Sequence, residues 1–271
     1  MKFRLKPTKK QMHLLESQLE ECRLLYNHFL ADRKEAWEER QESLNYYGQK
    51  ATLPQLKAFC PELSNVHSQV LQNVSMRIDL AFKAFFRRVK AGEEPGYPRF
   101  RGYGRYNSMT FPQYGNGCQL TDGMLKLSKV GALRIIQHRP LEGTPKTCTV
   151  RRSSTGKWYA TIACEVEAMP LPATGETVGI DVGLLSFATL STGESTPCPK
   201  FLRTDEKDLK RTQRKLSAAT QGTPERTKRR KIVARVHERI ANRRGNFAHQ
   251  ESRKIVNRFD VIAVEDLSVN Q

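Results

Sequence analysis

Two short apolar segments that each end in a carboxylate constrain the fold of this sequence more than any other feature. Residues 178–180 read Val-Gly-Ile and precede Asp181, and residues 261–264 read Val-Ile-Ala-Val and precede Glu265. Short apolar runs rich in β-branched residues predict buried strands. An acid at the end of a buried strand is costly unless a cation pairs with it, and a metal ion is a common solution. We therefore expect one parallel or mixed sheet in which Asp181 and Glu265 lie close enough to share Mg²⁺.

Three interpretations of these two acids are open at this point. Carboxylates on neighbouring strands hold Mg²⁺ at a scissile phosphate in ribonuclease-H-like nuclease cores. The Asp-x-Gly pattern at residues 181–183 also occurs in the phosphate loops of actin- and sugar-kinase-like ATPases, although the sequence has no further glycine-rich phosphate loop. In a purely structural alternative, each acid has its own lysine or arginine partner.

The charge of the chain indicates a polyanionic partner. Its 271 residues carry a formal net charge of +18, which is typical of proteins that bind nucleic acid or an anionic membrane surface. Residues 200–258 contain 19 Lys and Arg against 6 Asp and Glu, so most of the excess lies there. No apolar run approaches the ~18 residues of a membrane span, and the N-terminus has no signal-peptide core. We expect a cytoplasmic protein that binds nucleic acid and no membrane.

The six cysteines are scattered and never form Cys-x-x-Cys. This spacing argues against a zinc ribbon and against a disulfide framework. We expect free, mostly buried thiols, as in a reducing cytoplasm, and no zinc.

The N-terminal part of the chain predicts a helical bundle. Residues 3–6 predict a short edge strand, and Thr8 with Gln11 forms a capping-box pattern that starts a long helix. Apolar residues then recur at steps of three and four until a polar break near residues 45–48. Such periodicity is the signature of an amphipathic helix. Further helices are predicted at residues 53–59, 65–91 (with Phe82, Phe85, Phe86 and Val89 on the buried side), 206–218 and 224–258.

Residues 95–106 differ in kind, because arginines alternate with aromatic residues on a backbone that proline and glycine keep out of a helix. The aromatic rings can stack on bases while the guanidinium groups bind phosphates. The alternative is an aromatic-rich loop that packs on the helical bundle, and the net charge favours the nucleic-acid surface. From residue 110 to about 166 the pattern changes to period two, with turn signals at residues 121–123 and 153–156. This segment predicts a small antiparallel β-barrel or sheet.

The chain resembles the TnpB family, the OrfB-type transposon-encoded proteins related to type V CRISPR effectors. Four motifs occur in the order of that family. They are Arg-Leu-Leu-Tyr-Asn-His-Phe-Leu at residues 23–30, Phe-Phe-Arg-Arg-Val-Lys at 85–90 with Gly-Tyr-Pro-Arg-Phe at 96–100, Gly-Ile-Asp-Val-Gly at 179–183, and Val-Glu-Asp-Leu at 264–267. The resemblance spans essentially the whole chain.

The resemblance implies an α+β, multi-domain fold. A small antiparallel β-barrel would carry an inserted helical bundle and would be followed by a RuvC nuclease domain of the ribonuclease H type. The implied domains are residues 1–7 (first barrel strand), 8–108 (helical recognition domain), 109–170 (remainder of the barrel) and 171–271 (RuvC-like domain). The helical recognition domain includes residues 95–106, here called the basic–aromatic loop. Family members continue with a zinc ribbon and a third acidic motif, whereas this sequence stops at Gln271, so the RuvC-like domain is expected to be incomplete.

By the same resemblance, the function is RNA-guided, Mg²⁺-dependent cleavage of DNA, with guide RNA and target double-stranded DNA as partners. Asp181 and Glu265 would be the catalytic and metal-binding residues. With a third acid missing, we expect this chain to bind nucleic acid but to cut poorly. A cleavage-deficient RNA-guided DNA-binding regulator is the alternative. The expected nucleic-acid-binding residues are Arg23, Tyr26, Asn27, Arg87, Arg88, Lys90, Tyr97, Arg99, Phe100, Arg101, Arg105, Lys228, Arg229, Arg230, Lys231, Arg243 and Arg244.

Overall fold

The chain forms two compact units. The N-terminal unit contains a seven-stranded antiparallel sheet, and the C-terminal unit contains a four-stranded mixed sheet. The N-terminal unit comprises Met1–Glu167 and the C-terminal unit Ala168–Gln271. The computed structural model describes residues 1–266, so Leu267 of the last sequence motif lies outside the described residues.

The sheet of the N-terminal unit has the order β2-β6-β7-β1-β5-β4-β3. Its strands are β1 (Lys2–Lys6), β2 (Ser108–Phe111), β3 (Cys118–Thr121), β4 (Met124–Leu127), β5 (Gly131–Ile136), β6 (Thr144–Arg152) and β7 (Trp158–Glu165). The prediction of β1 as an edge strand is wrong, because β1 pairs with β5 on one side and with β7 on the other. Phe3 and Leu5 are buried on one face of this central strand.

Both predicted hairpins of this sheet are confirmed. Asp122 and Gly123 connect β3 to β4 with positive φ angles of 49° and 70°, as a tight two-residue hairpin requires. The β6–β7 ladder runs from Arg152–Trp158 to Thr144–Glu165. Hydrogen bonds made by a residue outside the strands bring the sheet close to closing into a barrel. Tyr114 donates its N–H to the carbonyl of Lys146 and accepts from the N–H of Leu120 through its hydroxyl, both at 2.8 Å.

The helices of this unit lie between β1 and β2 in the chain and pack against the same core as the sheet. Thr8 and Gln11 form the predicted capping box. The first helix ends at Arg40, earlier than predicted, and Asn45 instead caps a separate short helix by accepting from the Gly48 N–H at 3.0 Å. The helices are α1 (Lys9–Arg40), α2 (Tyr46–Ala51), α3 (Leu53–Phe59) and α4 (Ser68–Lys90), with a 3₁₀ turn at Pro61–Asn65.

The end of α4 differs from the sequence prediction. Phe86 and Val89 were expected in the core but are 60% and 50% exposed. Helical periodicity predicts which residues share one face of a helix. It does not predict how far along the helix other parts of the protein cover that face. Phe82 and Phe85 pack instead against Tyr97 of the following loop, each at 5.5 Å between ring centroids.

The C-terminal unit combines the mixed sheet with two helices. Its sheet has the order β10-β9-β8-β11, and β8 and β11 are parallel. One small core, formed by Leu209, Val233, Val236 and Ile240, joins the two helices, and a second, formed by Val178, Leu190 and Phe259, lies at the sheet. The elements are β8 (Thr177–Asp181), β9 (Ser186–Leu190), β10 (Ser195–Pro197), α5 (Phe201–Ser217), α6 (Pro224–Val256) and β11 (Val261–Val264).

Candidate functional site

The two carboxylates singled out in the sequence lie at corresponding ends of neighbouring strands. In the parallel β8–β11 ladder, Ile180 is opposite Val264. Asp181 and Glu265 each follow directly, and both line one open cavity of about 640 Å³. The predicted pairing of the two strands is thereby confirmed.

The environment of these acids departs from the prediction in one respect. Both were expected at buried strand ends, but both side chains are exposed, and Val264 beside Glu265 is 66% exposed. For Glu265 the reason is the position of β11, which is an edge strand of its sheet. Neither carboxylate makes a hydrogen bond or an ion pair with any of residues 1–266. The structural alternative, in which each acid has its own basic partner, therefore does not hold for the described residues.

Asp260, a third acid in the same region, has a different role. Its carboxylate accepts hydrogen bonds from the backbone N–H groups of Thr174 and Gly175, at 2.7 to 3.0 Å. These hydrogen bonds hold the pKa of Asp260 below its ordinary value. Asp260 precedes β11, whereas Glu265 follows it. Because five residues of extended chain span roughly 16 Å, Asp260 lies at the wrong end of the sheet to join the other two acids.

The donor set fits a hard divalent cation bound by two protein carboxylates. Mg²⁺ is commonly held by one or two carboxylates, with water and substrate phosphates completing its shell. Thr189 and Ser191 also line the cavity with hydroxyl groups, and the Ser191 hydroxyl accepts from the Gly179 N–H at 3.0 Å. Among the described residues, no group of three or more His, Cys, Asp and Glu side chains is placed to hold a metal ion.

A second candidate surface lies in the N-terminal unit, on the loop between α4 and β2. As predicted, residues 95–106 form neither helix nor strand. Tyr97, Phe100 and Tyr103 are exposed aromatic residues of this loop. The side chains of Arg87, Arg88, Lys90, Arg99, Arg101 and Arg105 are exposed around them.

Three predicted nucleic-acid-binding residues of α1 hold this loop in place instead. Asn27 accepts from the Arg101 N–H at 2.7 Å and donates to the Arg101 carbonyl at 3.0 Å. Arg23 donates to the same carbonyl and is paired with Glu20. Tyr26 is 4% exposed, and the guanidinium group of Arg101 lies over its ring at 5.5 Å. Burial makes the Tyr26 ring unavailable for base stacking, which corrects the sequence prediction.

The predicted cations of α6 fall into two groups. Arg243 donates to Asp205 of α5 at 3.1 Å, and Arg229 is paired with Glu225 at 2.6 Å. Asp205 is 6% exposed, so Arg243 helps to neutralise a buried charge and is not a free phosphate ligand. The remaining four are exposed and make no hydrogen bond or ion pair with residues 1–266; they are Lys228, Arg230, Lys231 and Arg244.

Sequence reasoning missed Arg77, which joins α4 to the sheet. Its guanidinium group donates to the Tyr106 hydroxyl, the Ser108 carbonyl and the Thr110 hydroxyl, at 2.8 to 3.1 Å. An arginine on a predicted helix carries no local signal that distinguishes such a role from a solvent-exposed one.

All six cysteines lack disulfides, and three are buried, Cys22, Cys118 and Cys148. Within the described part of the chain, no helix has the length and apolarity needed to cross a membrane.

Comparisons with known proteins agree with these features. A family profile described as "Probable transposase" (OrfB_IS605) matches residues 161–271, and the related "Helix-turn-helix domain" profile matches residues 1–42. A "Putative RNA-guided DNA endonuclease" of Streptomyces pristinaespiralis is 36% identical over 99% of this chain. The "Putative RNA-guided DNA endonuclease InsQ" of Escherichia coli K12 is 29% identical over 99% of this chain. The chain spans 66% of the length of each of these relatives.

The fold has a counterpart among solved structures. The Cas12f1 chain of a complex with sgRNA and target DNA matches 96% of this chain with a TM-score of 0.56 at 13% identity, over 66% of its own length. This likeness concerns the fold alone. Together with the sequence matches, it favours the nuclease lineage over an actin-like ATPase. The chain belongs to the TnpB family of OrfB, IS605-type transposon proteins.

Proposed function

We propose that this chain acts as an RNA-guided DNA endonuclease of the TnpB type. The observation that carries the proposal is the placement of Asp181 and Glu265 at the ends of neighbouring parallel strands, exposed and without a hydrogen bond or ion pair to residues 1–266. In this proposal, residues 171–271 form part of a RuvC-like nuclease domain. Residues 1–7 and 109–170 form a barrel into which the helical segment 8–108 is inserted.

Asp181 and Glu265 would hold Mg²⁺ at the cavity that residues of β8, β9 and β11 line. A metal ion bound there would polarise a phosphate and lower the pKa of a bound water. The exposure of both carboxylates leaves room for a phosphodiester backbone to approach them.

Recognition would be divided between guide RNA and protein. Base pairing of a guide reads the target sequence in RNA-guided nucleases, and the protein holds the strands through their backbones. The exposed arginines of the basic–aromatic loop and the α6 cations without a partner among residues 1–266 are suited to this task, because phosphate contacts position a nucleic acid without reading its sequence. The exposed rings of Tyr97, Phe100 and Tyr103 can stack on unpaired bases.

The test is cleavage of a DNA target that matches a bound guide RNA, at several Mg²⁺ concentrations. We expect Mg²⁺-dependent cleavage that is lost in Asp181→Ala and in Glu265→Gln and is retained in Asp260→Asn. Cleavage that survives Asp181→Ala would overturn the assignment of the site.

Metal binding gives a second readout that does not require cleavage. Mn²⁺ is a spectroscopic substitute for Mg²⁺, and electron paramagnetic resonance counts its bound fraction. We expect weak Mn²⁺ binding that Asp181→Ala and Glu265→Gln each reduce at least about tenfold. Equal Mn²⁺ binding by the unaltered chain and both variants would show that these carboxylates do not hold the metal.

A further inference from the structure

A row of polar side chains crosses one face of the C-terminal sheet. Thr189 of β9 lies directly opposite Asp181 of β8, and Ser195 of β10 lies opposite Thr189. Residues opposite each other on neighbouring antiparallel strands place their side chains on the same face, with Cβ atoms about 4.5–5.5 Å apart. Glu265 continues this row directly after β11. The two exposed acids of the candidate site therefore share their face of the sheet with hydroxyl side chains.

The hydroxyl groups of this region differ in what they bind. The Ser195 hydroxyl donates to the Ser186 hydroxyl at 2.9 Å, and the Ser191 hydroxyl accepts from the Gly179 N–H at 3.0 Å. Thr189 is half-buried and lines the same cavity as the two acids, yet its hydroxyl makes no hydrogen bond with residues 1–266. A hydroxyl can donate one hydrogen bond, so the Thr189 proton is available to a bound molecule.

The surrounding structure holds the Thr189 side chain in place. Its neighbours in β9, Ala188 and Leu190, are both buried. The Ser191 N–H donates to the Gly179 carbonyl at 2.9 Å, which joins β9 to β8 just beyond their ladder. Threonine is branched at Cβ, which restricts its first side-chain torsion. A donor that is fixed before its ligand arrives loses little conformational freedom on binding.

The chemistry of the cavity limits what Thr189 can bind. Asp181 and Glu265 repel a phosphate by charge, so a phosphate is expected there only together with a divalent cation. Water and substrate phosphates commonly complete the shell of a Mg²⁺ ion held by two carboxylates. A lysine or arginine in place of Thr189 would pair with the carboxylates, whereas a neutral hydroxyl does not compete with the metal. Gly179 and Ala263, which also line the cavity, have no long side chains to fill it.

We propose that the Thr189 hydroxyl donates a hydrogen bond to a phosphate oxygen of the nucleic-acid strand bound at Asp181 and Glu265, and so positions the phosphodiester beside the metal. This inference rests on the proposed function and deepens it, because it names a further residue that contacts the substrate. Thr189 contacts the phosphate and is not a ligand of the metal.

Three single variants of the 271-residue chain separate the hydroxyl from the shape of the side chain. Thr189→Val keeps the branched shape and removes the hydroxyl, whereas Thr189→Ser keeps the hydroxyl. Thr196→Val is the matched control. Thr196 lies opposite the buried Ala188 and therefore on the other face of the same sheet. Circular dichroism checks that all three variants fold.

The first measurement does not require cleavage. Bound Mn²⁺, counted by electron paramagnetic resonance, shortens the phosphorus-31 relaxation time of any phosphodiester beside it. The probe is a dinucleoside monophosphate of two deoxythymidines, titrated into the Mn²⁺-loaded chain. We expect Thr189→Val to bind Mn²⁺ as the unaltered chain does but to bind the probe about 10- to 100-fold more weakly, as expected for a lost hydrogen bond to a charged group. Thr189→Ser and Thr196→Val should bind the probe as the unaltered chain does.

Single-turnover cleavage of a guide-matched DNA target is the second measurement. The rate in Thr189→Val should fall about 10- to 100-fold at subsaturating DNA, and Thr189→Ser should restore it. Probe binding that is unchanged in Thr189→Val would exclude the contact. A loss as large in Thr189→Ser as in Thr189→Val would assign the effect to packing of the lost methyl group. Weaker Mn²⁺ binding in Thr189→Val would make Thr189 a metal ligand, contrary to the inference.

Failure of the proposed function has a different signature. If the unaltered chain binds Mn²⁺ no better than Asp181→Ala does, the metal site itself is wrong, and the role of Thr189 is overturned with it. If Mn²⁺ binding depends on Asp181 and Glu265 but the probe does not respond to the loss of the Thr189 hydroxyl, only the present inference is wrong.

Discussion

At the scale of single residues, the most consequential side chains are charged groups that the fold has paired. Arg33 is buried in the N-terminal unit, where it donates to Gln49 at 2.8 Å and to Asp79 at 3.4 Å. Burial raises the pKa of Asp79, but hydrogen bonds and charges from Lys83 and Arg33 outweigh this effect and hold the pKa below its ordinary value. The ionised form of Asp79 is thus the form that stabilises the fold.

Asp79→Asn should destabilise the N-terminal unit, because it leaves the buried Arg33 charge without a carboxylate. Removing one partner of a buried pair costs about 3–5 kcal/mol, and the exposed Lys83 edge of this pair argues for the lower end. Since the folded pKa of Asp79 is depressed, its contribution is present above its unfolded pKa of about 3.9 and is lost as the pH falls further. Urea unfolding between pH 3 and pH 7 measures both effects. Lys83→Ala is the control, and a cost equal to that of Asp79→Asn would contradict the role of Arg33.

Arg243 should matter for stability and not for nucleic-acid binding. Arg243→Gln removes one of the two arginines that neutralise the buried Asp205, so the α5–α6 pair should lose about 1–3 kcal/mol. Thermal unfolding followed by circular dichroism measures this loss. Arg244→Gln is the comparison, because Arg244 has no ion pair with residues 1–266. If Arg243→Gln weakens nucleic-acid binding at unchanged stability, the structural role assigned here is wrong.

At the scale of elements, the basic–aromatic loop depends on α1 for its position. Asn27 makes two hydrogen bonds to the backbone of Arg101, and Arg23 adds a third. These contacts join residues that are 74 and 78 positions apart in the chain. A loop without regular structure can thereby present its arginines and rings in a defined arrangement.

Asn27→Ala should release the loop without unfolding the unit. Because both hydrogen bonds of Asn27 are exposed, we expect faster amide exchange at residues 99–105 and little change in the core strands. Hydrogen–deuterium exchange with mass spectrometry resolves the two regions. Arg99→Gln, which removes a charge from the loop but none of these hydrogen bonds, should leave the exchange unchanged. Unaltered exchange in Asn27→Ala would mean that the loop is held by other contacts.

At the scale of the whole molecule, the positive charge determines how binding to nucleic acid depends on salt. The unequal sizes of the hydrophobic cores determine how well each unit resists proteolysis. The net charge of +18 makes binding to any nucleic acid strongly dependent on salt. A protein with 6–10 phosphate contacts loses about 10³–10⁵ in affinity between 50 and 200 mM salt, and we expect this chain to lie in that range. Anisotropy titrations with a DNA duplex measure the slope. A slope near zero would show that the charge is not used for binding.

The two units should differ in their resistance to proteolysis. The N-terminal unit has one extended core, whereas the cores of the C-terminal unit are small. Leu184 and Leu185 of that unit are each 95% exposed. Limited trypsin digestion should first cut within the C-terminal unit. Because residues 158–199 contain no Lys or Arg, the shortest N-terminal fragment that such a cut can leave ends at Lys200, which mass spectrometry identifies. Early cuts inside α1 or α4 would contradict this order.

Local patterns in the sequence determined the type and approximate extent of most elements. The capping box at Thr8, the turn at Asp122 and Gly123, and the apolar runs before Asp181 and Glu265 each act within a few residues. Local steric and hydrogen-bonding rules are sufficient there. The same patterns indicated a sheet that pairs the two acid-bearing strands, because apolar strands must share a core.

Only the tertiary structure decided the remaining features. The central position of β1, the exposure of Asp181 and Glu265, and the burial of Tyr26 depend on which segments cover one another. The same is true of α6, where Asp205 of another helix binds Arg243, whereas Lys231 has no hydrogen bond or ion pair to residues 1–266. A basic residue has the same local signal whether or not a distant acid neutralises it. Pairing and burial arise from contacts between residues far apart in the chain, and it is these contacts that separate structural cations from those available to a partner.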